Sequence, residues 1–309
     1  TAGGDITDSG VLTITGAATF TAANGQSIYL DSANTFSNTV AFNSGGTLAN
    51  VTIIDSNDFD LAALTLSGNL VAISTGGSIT DSGALRISGT SWFLTITSNK
   101  DITLDTTTNA FTGAVTLNTK GSTGDAEVDG GTTILDIAAS TIGGNLSLRS
   151  GHATGITDSG TVTVGGNLAV TNNVSNGDIN MGSLAVDGTI ALTTQGSGGN
   201  AAVTNDTALD LAASSVGGTL GVTATSGDII DSGQLTITGA ATFTAANGQN
   251  IYLDNRDSSD TLFAIHTFSG AVTFAASSGN LLNVTVRNSG AFDFGAALTL
   301  ATGGNLILT

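Results

Sequence analysis

A chain of 309 residues with 24 acidic and only 6 basic side chains carries a net charge of −18. Nucleic-acid binding needs a basic stripe that displaces counterions, and Arg86, Lys100, Lys120, Arg149, Arg256 and Arg287 are scattered, so that class is excluded. With no cysteine there is neither a disulfide framework nor a thiolate metal site, and no apolar run is long enough to insert in a membrane.

The first stretch, Gly4-Asp5-Ile6-Thr7-Asp8-Ser9-Gly10, returns around Asp81, Asp158 and Asp231 at nearly equal steps. A fixed internal period means one unit used repeatedly. Behind the first copy, Leu12-Thr13-Ile14-Thr15, Ala18-Thr19-Phe20-Thr21 and Ser27-Ile28-Tyr29-Leu30 are short alternating runs, divided by Gly16 and Asn24-Gly25. Alternation of period two puts Leu12, Ile14, Phe20, Ile28 and Leu30 on one face and threonines on the other. Val40-Ala41-Phe42, Val51-Thr52-Ile53-Ile54 and Leu64-Thr65-Leu66 continue the pattern, and no helical stripe with caps is found. Proline is absent altogether, as suits a backbone paired on both edges.

Four repeats result, approximately 1–75, 76–152, 153–226 and 227–309. Each closes alike, on Phe59-Asp60-Leu61-Ala62-Ala63, Leu135-Asp136-Ile137-Ala138-Ala139, Leu209-Asp210-Leu211-Ala212-Ala213 and Phe292-Asp293-Phe294-Gly295-Ala296. A Gly-Asn-Leu or Gly-Thr-Leu strand follows each closing motif. Leu12 to Asp31 and Leu235 to Asp254 differ at a single position, Ser27 against Asn250. Asn34-Thr35-Phe36-Ser37 matches His266-Thr267-Phe268-Ser269 after an insertion at about residues 255–263, and copy two has the related Asn109-Ala110-Phe111-Thr112.

About 20 residues suffice for one coil of three short strands. The expected fold is all-β, a single right-handed parallel β-helix (solenoid) with about four coils per period of about 75 residues. A sandwich also has short strands, but each of its strands occupies a unique environment, which near-identical text in the first and last copies does not fit. The last residues stop nearly where the first could resume, so the expected partners are neighbouring repeats of a longer array or further copies of the chain stacked end to end.

The Gly-Asn-Leu strands, the Asp-Ser-Gly-x-Leu-Thr-Ile turns and Phe268-Ser-Gly-Ala-Val-Thr-Phe274 resemble large bacterial exoproteins of the filamentous-haemagglutinin type. That resemblance implies a β-helical adhesin on the cell surface or outside the cell, with host or matrix glycans or proteins as partners. The expected function is a non-enzymatic stalk or filament shaft in adhesion or biofilm assembly. The alternatives are a carbohydrate-active β-helix and, from Thr-x-Thr strands such as Thr95-Ile96-Thr97, an ice-binding solenoid.

No catalytic residue is expected, because the carboxylates recur in every repeat whereas an active site occurs once. The Asp of Asp-Ser-Gly reads as a turn residue bonding its own backbone, with Gly taking a positive φ. No cofactor is expected other than calcium. Asp55, Asn57, Asp58 and Asp60 offer oxygens for it, without the glycine and closing Glu of an EF-hand loop. His152 and His266 lack ligand spacing, Met181 reads as filler, and Trp92-Phe93 reads as core or edge packing. The insertion makes Asp254, Asn255, Arg256, Asp257 and Asp260 a candidate contact loop.

Overall fold

The computed structural model describes residues 3–254 and 265–309, which among them hold strands and turns but no helix. They form two compact units, Thr1–Gly151 with Ser159–Gly165, and His152–Asp158 with Gly166–Thr309.

In the first unit the strands Ile6–Thr7, Ile28–Phe36, Val51–Asp55, Leu70–Ser74, Ser91–Thr95 and Val115–Asn118 lie side by side, every pairing parallel. A second column runs through Ala18–Ala22, Val40–Ser44, Phe59–Leu61, Ile79–Asp81, Ile102–Leu104, Ala126–Asp129 and Leu146–Ser150. A third holds Leu64–Leu66, Leu85–Ile87 and Ala110–Phe111. The chain visits the columns in turn and returns one strand farther along, which makes this unit a parallel β-solenoid. The second unit repeats the arrangement. One column is Ile156–Asp158, Ile179–Val186, Ala201–Asn205, Leu220–Ala224, Ala241–Ala245 and Val272–Ala276. Another runs from Thr189–Gln195 through Leu209–Leu211, Ile229–Asp231, Ile251–Leu253 and Val284–Val286 to Leu306–Leu308.

The coils are not the equal quarters of a period that four per repeat requires. Ile28, Val51, Leu70, Ser91 and Val115 stand in one column at uneven intervals, the shortest from Val51 to Leu70 and the longest from Ser91 to Val115. Ile179, Ala201, Leu220, Ala241 and Val272 form a similar uneven series, whose longest step, from Ala241 to Val272, contains the insertion. The strands keep their length and the corners absorb the difference. The sequence period is therefore not a whole number of coils. In the first unit Asp8 follows a strand of the first column, whereas Asp81 closes a strand of the second. Asp158 and Asp231 show the same change of column in the second unit.

Alternation sends every second side chain inward, where it meets the equivalent residue of the next coil rather than a distant part of the chain. Leu30, Ile53, Ala72, Phe93 and Leu117 form one such inner row, all buried. The small Ala72 leaves room for Phe93, whose ring meets Phe111 edge-on with centroids 6.2 Å apart. Phe243 packs the same way on Phe268 at 6.0 Å in the second unit. The outward rows are mixed, and Trp92 stands between Val71 and Thr116 with 39% of its surface exposed.

At the corners the ladder is continued by side chains. Asn50 Oδ1 accepts the Asn69 amide at 2.8 Å, and Asn69 Oδ1 accepts the Thr90 amide at 2.9 Å. This is why Gly68-Asn69-Leu70 opens the strand after the first closing motif: its asparagine satisfies a main-chain donor one coil on. Its glycine is needed for space. A Cβ on Gly68 would lie 2.7 Å from the Ala49 carbonyl oxygen, and on the corner glycines Gly89 and Gly113 it would lie as close, 2.6 and 2.3 Å from the carbonyl oxygens of Gly68 and Gly89.

Replacing Phe93 with Ala removes the largest side chain of its inner row and leaves a hole beside Ala72. The expected loss is about 3–5 kcal/mol of unfolding free energy, measured by urea denaturation.

Candidate functional site

The recurring Asp-Ser-Gly corner is where the chemistry-bearing side chains gather, and each of its three residues reaches out of its own coil. The aspartate turns inward. Asp81 is 8% exposed, and its Oδ2 accepts a hydrogen bond from Asn109 Nδ2 at 2.7 Å, in the coil that follows. Asn109 Oδ1 in turn accepts the Leu85 amide at 2.7 Å, just past the aspartate. The first copy repeats the bridge: Asn34 donates to Asp8 Oδ2 at 2.7 Å and accepts the Leu12 amide at 2.8 Å. In the fourth copy His266 takes the asparagine's place, with Nε2 3.1 Å from Asp231 Oδ2 and Nδ1 accepting the Leu235 amide at 3.1 Å. Nδ1 does the work of the amide oxygen, and Nε2 takes the amide nitrogen's place beside the aspartate. In the third copy Asp158 binds the Gly182 and Ser183 amides at 2.8 and 2.7 Å instead.

The serine turns outward and back. Ser82 Oγ donates to Asp60 Oδ2 at 2.5 Å, and Thr39 Oγ1 donates to the same oxygen at 2.8 Å. Asp210 is bonded by Ser232 in the same sense. The glycine is fixed by contact. A Cβ on Gly83, Gly160 or Gly233 would lie 2.4, 2.5 or 2.0 Å from the amide nitrogen of Ala63, Ala139 or Ala213. None of these glycines has a positive φ. The expectation of an aspartate bonding its own turn beside a left-handed glycine is thus corrected: the glycine makes room for a neighbouring coil, and the aspartate binds the next one. The closing motif and the Asp-Ser-Gly triplet stand in register one coil apart, Leu61 opposite Asp81 and Leu211 opposite Asp231, as two halves of one inter-coil contact.

Equivalent aspartates titrate in opposite senses. Burial pushes the Asp8 carboxyl up, but donors from Asn34, Ser32 and Asp31 outweigh it, and the group lies below the ordinary carboxylate range. Burial dominates at Asp81 and raises it, with the Asp105 carboxylate adding to the shift and Asn109 opposing it. Asp210 is raised too, by burial first, with the Asp231 charge adding and Ser232 opposing.

The four calcium candidates are not brought together. Asp55 is fully buried, Asp58 Oδ1 accepts the Ser78 amide at 2.6 Å and pairs with Lys100 at 3.6 Å, and Asp60 faces Thr39 and Ser82. Among the described residues no group of three or more His, Asp or Glu is placed to hold a metal ion. Of the contact loop, Asp254 is half-buried, while Asn255, Arg256, Asp257 and Asp260 lie outside the described residues. His152 Nδ1 accepts the Thr154 amide at 3.0 Å, far from the buried His266 in sequence and role. Met181 and Phe93 are core. Thr95 points inward, its hydroxyl bonded to the Lys100 carbonyl, so Thr95 and Thr97 do not share a flat outer face. Asn34, Asn109 and His266 were visible in the sequence as matching text ahead of a Phe, but nothing local showed that they reach across to an aspartate.

Two open grooves flank the serine side of the corner. One, in the first unit, is lined by Thr39, Asp58, Asp60, Ser78 and Thr80. The other, in the second unit, is lined by Asp187, Thr189, Asp210, Asp228, Ile230 and Gln249, with a volume of about 570 Å³. Among the described residues no helix is long and apolar enough to cross a membrane.

A family model described as repeats of unknown function (DUF5649) matches residues 1–43, 48–118, 123–180 and 198–275. No curated protein and no solved structure matches the chain.

Gly83→Ala forces a methyl group against the Ala63 backbone and should lower stability by about 1–3 kcal/mol in chemical denaturation. At position 266, asparagine should serve as well as histidine. His266→Asn is expected to stay within about 1 kcal/mol of the parent, whereas His266→Ala takes a partner from both Asp231 and the Leu235 amide and should cost about 1–3 kcal/mol.

Proposed function

The chain belongs to the DUF5649 family of repeats of unknown function, and we propose a mechanical role for it: a non-enzymatic shaft segment of a secreted bacterial surface exoprotein of the filamentous-haemagglutinin type. One observation carries this reading. The recurring carboxylates Asp8, Asp81 and Asp158 and, in the first closing motif, Asp60 are spent on joining coils, as Asp81 does with Asn109 and Asp60 with Ser82. A side chain committed to a main-chain or inter-coil bond holds the stack together and is not free to act on a substrate.

Under tension, a parallel stack of this kind transmits load through ladder hydrogen bonds and corner bridges together. The outer rows of mixed Thr, Val and Tyr or Trp offer contact surface to host or matrix glycans or proteins. The second reading, a carbohydrate-active β-helix, is favoured by the groove carrying Asp187, Asp210 and Asp228. Its Asp210 has a raised carboxyl of the kind a general acid needs.

Single-molecule pulling distinguishes the two. A shaft is expected to lengthen in steps of one coil, about 70–85 Å of contour for roughly 20–24 residues, and to leave a panel of polysaccharides intact. Release of reducing ends that Asp210→Asn abolishes would replace the mechanical reading with the enzymatic one.

A further inference from the structure

Position 55 is one that two other corners of this fold fill with asparagine, Asn205 and Asn288. Asp55 is in register with Asn34 of the preceding coil and is fully buried. Its Oδ1 accepts the amides of Phe36, Ser56 and Asn57 at 3.1, 2.7 and 3.4 Å. Asn205 is in register with Leu184, and its Oδ1 accepts the Val186 amide at 2.8 Å. Asn288 is bridged to His266, and its Oδ1 accepts the Phe268 amide at 2.9 Å. In all three cases the accepted amide lies two positions past the partner in register.

The second terminal atom separates them. Asn205 Nδ2 donates to the Val186 carbonyl, Thr207 Oγ1 and the Ala208 carbonyl at 3.1, 3.1 and 2.9 Å. Asn288 Nδ2 donates to the carbonyls of Gly290 and Ala291 at 3.4 and 3.1 Å. In Asp55 the corresponding atom is Oδ2, buried and without a hydrogen-bond partner. At the two asparagine corners the atom in this place faces carbonyl acceptors, and a buried carboxylate oxygen left unpaired is costly. A proton on Oδ2 turns the acceptor into the donor that the site uses elsewhere.

We propose that Asp55 is a neutral carboxylic acid in the folded protein at neutral pH, its Oδ2–H standing in for the asparagine Nδ2–H, so that this corner is a latch closed by one proton. Burial raises the Asp55 carboxyl, against the opposing amides of Phe36, Ser56 and Asn57, in agreement with the geometry. The preceding coil presents Asn34, itself donating to Asp8, and the following coil presents Ser74 in register. Within its own turn Asp58 is paired with Lys100, and Asp60 is bonded to Thr39 and Ser82.

The sign follows from a carboxyl raised on folding. Its stabilisation is complete below the unfolded value of about 3.9 and is lost as pH rises through the folded value, when the proton passes to solvent and the latch opens. The test compares thermal unfolding of the wild type and Asp55→Asn between about pH 4 and pH 9. Asp81 and Asp210, also raised, are present in both proteins, so the difference isolates residue 55. The wild type should lose stability towards alkaline pH relative to the variant. Above neutrality Asp55→Asn should melt higher by about 2–4 °C. Isotope-edited infrared spectra should show a protonated carboxyl band at neutral pH that Asp55→Asn lacks.

The converse variant, Asn205→Asp, should acquire the alkaline loss, and it tests the proposal independently should Asp55→Asn fail to fold. Parallel pH curves for wild type and variant, or an Asp55 carboxylate band at neutral pH, would overturn the proposal. So would a calcium-dependent stabilisation, removed by chelator, that requires Asp55, because the partner of Oδ2 would then be a cation.

Discussion

Everything in this fold depends on how a coil satisfies the main-chain groups at its corners. Along the straight segments the parallel ladder pairs each amide and carbonyl with the coils before and after. Where the chain bends, the ladder breaks, and amides such as those of Leu12, Leu85 and Leu235 would be left without acceptors. They are satisfied by Asn34, Asn109 and His266, each supplied by the next coil and each anchored on an aspartate. No coil can complete its own hydrogen bonding. The units are stable because neighbours supply what each lacks, and that makes the corner polar and the coils interdependent.

That interdependence decided what the sequence could disclose. The buried rows were legible, because alternation along Val51–Asp55 or Leu70–Ser74 marks Val51, Ile53 and Leu70 as inward without knowledge of their neighbours. The solenoid was legible from the recurrence of near-identical text. The coil length was not. The interval from Asp60 to Asp81 is close to one true coil, but corners carry no hydrophobic period, and a longer coil such as that from Ser91 to Val115 leaves no mark in the pattern. The Asp-Ser-Gly triplet reads as a self-contained turn because sequence displays only near neighbours, whereas its partners Asn34 and Asn109 stand in the following coil. Histidine at 266 hid the asparagine-like role further, since the equivalence lies in the placement of two nitrogens and not in residue type.

Chemically equivalent residues also behave differently according to what the adjacent coil brings. Asp8 and Asp81 belong to the same motif, yet one carboxyl is lowered by donors from Asn34, Ser32 and Asp31 and the other raised by burial with fewer. Where Leu184 replaces the bridging residue, Asp158 takes two main-chain amides instead. The motif is a fixed socket, and its electrostatics are set by the coil laid against it.

The mismatch between sequence period and coil works like a vernier. If the chain slipped by one whole coil, the hydrophobic rows would still meet apolar partners, since every coil offers Leu, Ile, Val or Phe inward. The corners would not meet, because an aspartate and its bridging asparagine or histidine recur on a longer scale than the coil, with Asp8 and Asp81 on different columns. A slipped stack would bury carboxylates and amides with no counterpart, at a cost no gain in apolar packing offsets. Repeats that are individually interchangeable are thereby assembled in one register, and the proofreading is carried by the polar corners instead of the core.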